Sequence, residues 1–437
     1  MKKIAFISLG CPKNLVDTEN IMGALTARGY EIVEDEETAD VIIINTCCFI
    51  NDAKQESIDT IIEIGHLKKT AVLKKIIVTG CMAQRYKNEV IKELPEVDAV
   101  IGIGNIDKII SAVESDKTQV ECEKAYCINS LKGRITTTPF YTAYLKIADG
   151  CDNNCTYCII PSIRGKLVSR KIEECVEEAK RLVDNGVFEL ALIAQDLTNY
   201  GKDIYGKPML TKLLKELGKI EKLKWIRLLY CYPESITDEL IEEIAVNNKI
   251  CKYIDIPIQH CNNEILKKMG RRGSKEAIVN VVQKLRKRIP DITIRTTLIT
   301  GFPGETDEQF LEMENFIYDM KFDRLGVFTY SQEENTPAAQ MPNQIEEETK
   351  QKRQEMLMFA QSNVVEEKTI NKIGDIISVL VEGYDPIIKQ YYGRSEADAM
   401  DIDSKVFFTG EKGILPGTFA DVKVEGFIDY DLIGKMV

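Results

Sequence analysis

The sequence predicts an α/β protein in three parts: an N-terminal doubly wound parallel sheet, a central partial (βα)6 barrel and a small C-terminal β-barrel. Three observations predict it. Short β-branched apolar runs alternate with helical patterns over 1–117. After a polar gap the same alternation restarts over 137–367. From 370 onward helical periodicity gives way to short alternating strands, punctuated by Gly383, Gly410, Gly413 and Pro416-Gly417.

In the first part, residues 4–9, 41–45, 76–79 and 99–103 read as buried parallel strands. Between the first two, Leu15, Met22 and Leu25 share one helical face, which Gly29 ends. Cysteines follow three of these strands: Cys11, the pair Cys47-Cys48, and Cys81. The carboxyl ends of parallel strands lie on one edge, where ligands bind, so thiols far apart in sequence can converge there. A single free cysteine is often just a small buried hydrophobe. Three at equivalent strand ends favour a metal site. Spacing does not choose between Cys47 and Cys48. Residues 116–138 read as an irregular linker, and its Cys122 and Cys127, without a third partner, as non-functional.

In the central part the expected strands are 141–148, 190–194, 225–230, 253–258, 293–300 and 324–330. One intervening helix carries Ile172, Val176, Ala179 and Val183 on a face and stops at Asn185-Gly186; another opens with the capping box Thr306-x-x-Gln309. Six βα units fall short of the eight that close a barrel. Gln195-Asp196, Gln259-His260 and 301–305 then gather at the mouth formed by the strand ends. A lone His260 there reads as an oriented polar contact without a catalytic role. Cys175, Cys231, Cys251 and Cys261 read as packing residues. Residues 345–368 form a charged helical connector to the last part.

The most informative stretch is 151–158, C-D-N-N-C-T-Y-C, which follows the first central strand through Asp149-Gly150. A tight CxxxCxxC loop aims three thiolates at one point, as iron–sulfur clusters require. A four-iron cubane held by Cys151, Cys155 and Cys158 keeps one iron free for another ligand. Structural zinc normally takes four ligands in paired spacing; no partner CxxC exists, and the chain holds only His66 and His260.

Composition narrows the class. The 437 residues carry a formal net charge of −12, unlike the basic footprint of a general nucleic-acid binder. Thirteen cysteines in a chain of this kind suggest metal use rather than a disulfide framework. The opening Met1-Lys2-Lys3 and the run to Gly10-Cys11 imitate a lipoprotein signal, but the apolar stretch is too short. No run is long and apolar enough for a membrane span, and a cytoplasmic protein is expected. Over 370–437, 7 Lys and Arg stand against 12 Asp and Glu, a net of −5. Such a barrel should repel phosphate and prefer a basic protein, with Asp398, Asp401 and Asp403 as an expected docking cluster.

The three-cysteine N-terminal part, the CxxxCxxC barrel and the terminal β-barrel together resemble the radical S-adenosylmethionine (SAM) methylthiotransferases across essentially the whole chain. The resemblance implies an N-terminal cluster domain over 1–117, a radical-SAM core over 137–367 and a TRAM-like domain over 370–437. It also implies SAM and two 4Fe–4S clusters, the second one on Cys11, Cys47 and Cys81, and SAM contacts from Gln195, Gln259 and Gly301. The motif Ser8-Leu9-Gly10-Cys11-Pro12-Lys13-Asn14 is similar to the branch that modifies an aspartate β-carbon of ribosomal protein S-twelve. The branch acting on a tRNA adenosine typically has Gln-Met at Pro12-Lys13. The stretch 332–337, Q-E-E-N-T-P, fits the first branch with Asn335 in place of a common Gly, a change a left-handed turn tolerates. S-twelve, a sulfur donor and an electron donor are the implied partners. The alternatives are methylthiolation of tRNA and a non-catalytic metal-stabilised ribosome or RNA adaptor; the latter leaves two cysteine triplets without a use.

Overall fold

The computed structural model describes residues 2–115, 117–123 and 133–437; Cys127 lies outside them. In the N-terminal sheet, β1 (Lys3–Ser8), β2 (Glu31–Ile32), β3 (Val41–Thr46), β4 (Lys75–Gly80), β5 (Ala99–Ile101) and β6 (Gln119–Glu121) are ordered β2-β1-β3-β4-β5-β6, all parallel. Helices α1 (Pro12–Thr26), α2 (Asn51–Thr70), α3 (Cys81–Tyr86), α4 (Asn88–Glu93) and α5 (Ile106–Glu114) connect them. Every residue of β3 and β4 is buried, as a sheet covered on both faces requires. Strand β6 corrects the linker reading. Gln119–Glu121 pairs with β5, and Cys122 beyond it donates its thiol to the Ala83 carbonyl at 3.4 Å, a packing role.

The central barrel is built from β7 (Thr142–Lys146), the short β8 (Ala148–Asp149) and β9 (Val168–Ser169), β10 (Glu189–Ile193), β11 (Trp225–Leu228), β12 (Ile250–Gln259), β13 (Thr293–Thr300) and β14 (Arg324–Thr329). Six of these form one parallel sheet in the order β14-β13-β12-β11-β10-β7, each strand beside its sequence neighbour, and the two end strands do not pair. The result is an open partial barrel. The helix Asp307–Met320 carries the expected capping box, with both Thr306 and Gln309 bonds present. Cys175, Cys231 and Cys261 lie in the apolar layer between strands and helices, and Cys251 lies in a second cluster with Tyr144 and Tyr253.

The helix Glu347–Ile370 leads to a closed five-stranded barrel of β15 (Ile376–Asp385), β16 (Gln390–Arg394), β17 (Val406–Thr409), β18 (Phe419–Ile428) and β19 (Asp431–Met436). Strand β16, Q-Y-Y-G-R, had no alternation to announce it.

Two of the three residues of this barrel's expected acidic cluster, Asp398 and Asp403, turn toward the central barrel. The segment between β16 and β17 enters the central barrel, where Ala399 and Met400 pack with Tyr144, Ala191 and Ile193. Asp398 accepts from Arg324 at 2.6 Å, and Asp403 accepts from Tyr253 at 2.8 Å and lies 3.4 Å from Arg295. Asp401 is exposed, yet one of its oxygens accepts from Tyr144 at 3.3 Å. Asp398 and Asp403 neutralise core cations, which fastens the two barrels together, and these two are therefore not free to dock a basic partner.

Candidate functional site

The loop 151–158 begins where β8 ends. Gly150 has φ of 71°, and a Cβ there would stand 2.0 Å from the Lys166 carbonyl oxygen, so only glycine allows the chain to turn. The Cys151 amide donates to the Gly165 carbonyl at 3.1 Å, and the Thr156 amide to that of Met269 at 2.9 Å, which pins the loop at both ends. Burial pushes the Cys151 thiol up to about 11 and the Cys158 thiol up to about 12, with repulsion between the thiolates adding to each. A bound cation reverses that balance. The Cys155 sulfur sits 3.4 Å from the Tyr232 hydroxyl.

The second set of thiols lies on adjacent strands. Cys11 follows β1, Cys47 follows β3 and Cys81 follows β4, and these three strands are neighbours in register, with Ser8 opposite Asn45 and Thr46 opposite Gly80. Cys11 is the N-cap of α1, and Pro12 in the first turn sets the helix direction. Gly10, at φ of 85°, admits Cys47: a Cβ on residue 10 would meet the Cys47 Cβ at 2.7 Å and its sulfur at 2.8 Å. Cys48 faces the other way, fully buried among Ala5, Ile42 and Ile44, where burial lifts its thiol to about 12. Burial also raises Cys47 and Cys81. At Cys11 burial is outweighed by Lys13, Arg164 and the amides of Asn14 and Lys13, and the thiol falls below its ordinary value.

One polar cluster joins the two sets. Asn14 donates to the Leu9 and Thr46 carbonyls, each at 3.0 Å, stitching the ends of β1 and β3. Its Oδ1 accepts from Arg164 at 2.5 Å. Arg164 closes α6 (Ile160–Arg164), the helix directly after Cys158. The same guanidinium donates to Asp149 at 2.8 Å and Asp17 at 3.2 Å, and Lys146 pairs with both carboxylates. Asp17 and Arg164 had no sequence signal of their own, and Asn14 only its place in the motif 8–14, because each gains its meaning only when the two sheets meet.

The expected cofactor contacts stand at the strand ends. Gln195 donates to Asp149 at 2.8 Å while its buried Oε1 has no partner among the described residues. Gln259 ends β12 at φ of 71°, a conformation that non-glycine residues keep where the surroundings impose it. The Gly301 amide donates to both Glu305 oxygens at 3.1 Å, and a Cβ there would meet Lys350 at 2.3 Å. His260 is fully buried, its Nδ1 accepting from the Asn262 amide at 2.9 Å and its Nε2 lying 3.4 Å from Glu305. Nδ1 is thus bonded, while Nε2 has no hydrogen-bond partner among the described residues.

Among the described residues, no three Cys, His, Asp or Glu side chains stand in the arrangement that holds a single metal ion. The donors suit the cluster: three sulfurs in each set, with nearby Asp149 and Asp17 engaged by Arg164 and Lys146. The orphaned Gln195 oxygen at the mouth of the barrel suits a ligand carrying a donor, such as the ammonium of SAM.

Comparison with known proteins agrees with this layout. The model described as "Uncharacterized protein family UPF0004" matches residues 3–102, that of the radical SAM superfamily 145–317, and that of the TRAM domain 373–437. Among solved structures, the radical SAM methyltransferase TsrM from Kitasatospora setae superposes with a TM-score of 0.55 at 14% identity, covering 75% of this chain and 73% of that one, which supports the fold alone. Relatives named ribosomal protein uS12 methylthiotransferase RimO are far more similar. That of Clostridioides difficile is 50% identical, covering 100% of this chain and 99% of its own, and that of Caldanaerobacter subterraneus is 52% identical, with both chains covered completely. No helix among the described residues is long and apolar enough to cross a membrane. With half its residues shared over its full length, this chain belongs to the RimO family of radical-SAM methylthiotransferases.

Proposed function

We propose that the protein inserts a methylthio group at the β-carbon of an aspartate of ribosomal protein uS12 (S-twelve). The observation that carries this is the full-length similarity to RimO relatives, together with two three-thiol sets joined by one buried polar cluster. On this reading 1–117 holds one 4Fe–4S cluster through Cys11, Cys47 and Cys81. Residues 137–367 hold the other through Cys151, Cys155 and Cys158, with Gln195, Gln259 and Gly301 contacting SAM. Residues 370–437 meet the substrate. The bound clusters and SAM supply one-electron chemistry able to replace hydrogen on an unactivated carbon, which no acid–base side chain achieves at ordinary pH.

The chain's own residues bind, orient and exclude water. Arg164, Asn14 and Asp149 fix the two cysteine sets relative to each other, so the site is preorganised before substrate arrives. The barrel segment carrying Ala399 and Met400 packs into the central barrel, with Asp398 on Arg324 at the first residue of β14, the amino-terminal end. A sulfur source and an electron source act with the protein, and its place is the cytoplasm. The test is anaerobic reconstitution with SAM and reductant, followed by mass spectrometry of uS12 and of bulk tRNA. Modification of an aspartate in uS12 with unchanged tRNA is expected. Modification of tRNA alone overturns the substrate assignment.

A further inference from the structure

We infer that Lys13 receives the side-chain carboxylate of the aspartate to be modified; this deepens the function proposed above and rests on it. Lys13 lies in the first turn of α1, two residues after Cys11, where Pro12 fixes the direction of the chain. Its side chain does not reach for water. The residue is only 7% exposed, although lysine normally extends its ammonium to the surface. A buried cation is unfavourable unless something neutralises it. Other buried cations are neutralised: Lys146 and Arg164 by Asp17 and Asp149, Arg85 by Glu333, and Arg271 by Glu234. Lys13 forms no ion pair with a carboxylate among the described residues. Its ammonium lies instead 3.7 Å from the centroid of the Tyr230 ring.

That ring is held there at a cost. Tyr230 has φ of 63°, unusual for an aromatic residue, and its backbone is tied down on both sides. Its amide donates to Asp255 at 3.0 Å, and its carbonyl accepts from the Leu197 amide at 3.0 Å. Tyr230 stands two residues past the end of β11, at the mouth of the central barrel. Lys13 comes from the N-terminal sheet beside Cys11. The ammonium therefore bridges the two halves of the site, close to one cysteine set and above the strand ends that face the other. An aromatic face steadies a cation without neutralising it, so the ammonium stays available for an incoming anion. The substrate side chain brings one carboxylate, bonded to the carbon that reacts. Holding it on Lys13 aims that carbon and distinguishes aspartate from its neutral amide.

Lys13 also lowers the Cys11 thiol, and a role confined to balancing charge at the cysteines is the rival explanation. Binding of two peptides to the anaerobically reconstituted holoenzyme separates the two. One carries the uS12 target aspartate and the other has asparagine in its place; anisotropy of a labelled peptide gives each affinity. The wild-type protein should hold the aspartate peptide about tenfold tighter, the order of one charge-assisted contact. Lys13→Met should bring the two peptides within about twofold of each other by weakening the first, and Lys13→Arg should keep most of the preference. Iron is measured in every sample. If Lys13→Met loses iron, or weakens both peptides equally, Lys13 serves the cysteines and the inference is overturned. Wild-type binding without preference for the carboxylate overturns it as well and leaves the uS12 function standing. A wild-type protein that binds neither peptide overturns both.

Discussion

Arg164 donates to Asn14 at 2.5 Å with one guanidinium nitrogen and to Asp149 at 2.8 Å with the other. Asn14 is three residues from Cys11, and Asp149 is two residues from Cys151. A single fully buried side chain therefore ties together the backbones that carry the two cysteine sets.

Arg164→Met should destabilise the protein by about 3–5 kcal/mol, the cost of leaving buried carboxylates short of a partner. Denaturant unfolding in the absence of iron measures this. Burial alone would raise Asp149, but Arg164, Lys146 and Gln195 hold it well below the usual carboxylate range. A depressed carboxylate stabilises the fold above its unfolded pKa, about 4, and the gain is lost as pH falls below that. The wild-type protein should lose stability on acidification more steeply than Arg164→Met. Equal slopes would contradict the role given to this pair.

Cys47→Ala should remove about half of the reconstituted iron and Cys48→Ala very little, since Gly10 makes room for Cys47 while Cys48 packs in the apolar core. Colorimetric iron analysis decides it. The reverse result would exchange the two residues in the site.

Glu189 links the central and terminal barrels, accepting from Arg394 at 2.7 Å and Arg227 at 3.2 Å. Burial would raise its carboxyl; the two guanidiniums overcome this and hold it down at about 2. Its contribution is complete above its unfolded value of about 4.5 and disappears as pH falls toward 2. Glu189→Gln should cost about 3–5 kcal/mol at neutral pH and expose the segment 395–405 to protease. Unchanged proteolysis would mean that the barrels stay docked without this pair.

Because Asp398 and Asp403 are engaged inside, any charge steering toward a basic substrate must come from outward groups such as Asp421 and Glu425 on β18. Changing both to Lys should slow association with uS12 at low salt and have little effect at about 0.5 M salt, where surface charges are screened. A stopped-flow association rate that is insensitive to both changes would remove electrostatics from substrate docking.

How much of this could be read from the chain follows from where each property resides. The loop 151–158 is local, and its spacing alone announced it. The gathering of Cys11 and Cys81 at one sheet edge was legible because parallel strands bring their carboxyl ends together. Cys47 was not separable from Cys48, since the choice depends on an approach to Gly10 across the sheet. The acidic residues of the terminal barrel were misread for a related reason: net charge does not reveal that Arg324, Arg295 and Tyr253 of another part neutralise or bind them. Asn335 does adopt the left-handed conformation the sequence suggested, with φ of 65°.

The central claim is that two separate three-cysteine sets serve one reaction on uS12. The most direct measurement is mass spectrometry of uS12 after anaerobic incubation with reconstituted wild-type, Cys155→Ala and Cys81→Ala proteins, with deoxyadenosine assayed in the same samples. The wild-type protein should add one methylthio group to an aspartate. Cys155→Ala should give neither product, and Cys81→Ala should still form deoxyadenosine while leaving uS12 unmodified. Methylthiolated uS12 from the Cys81→Ala protein would contradict the account.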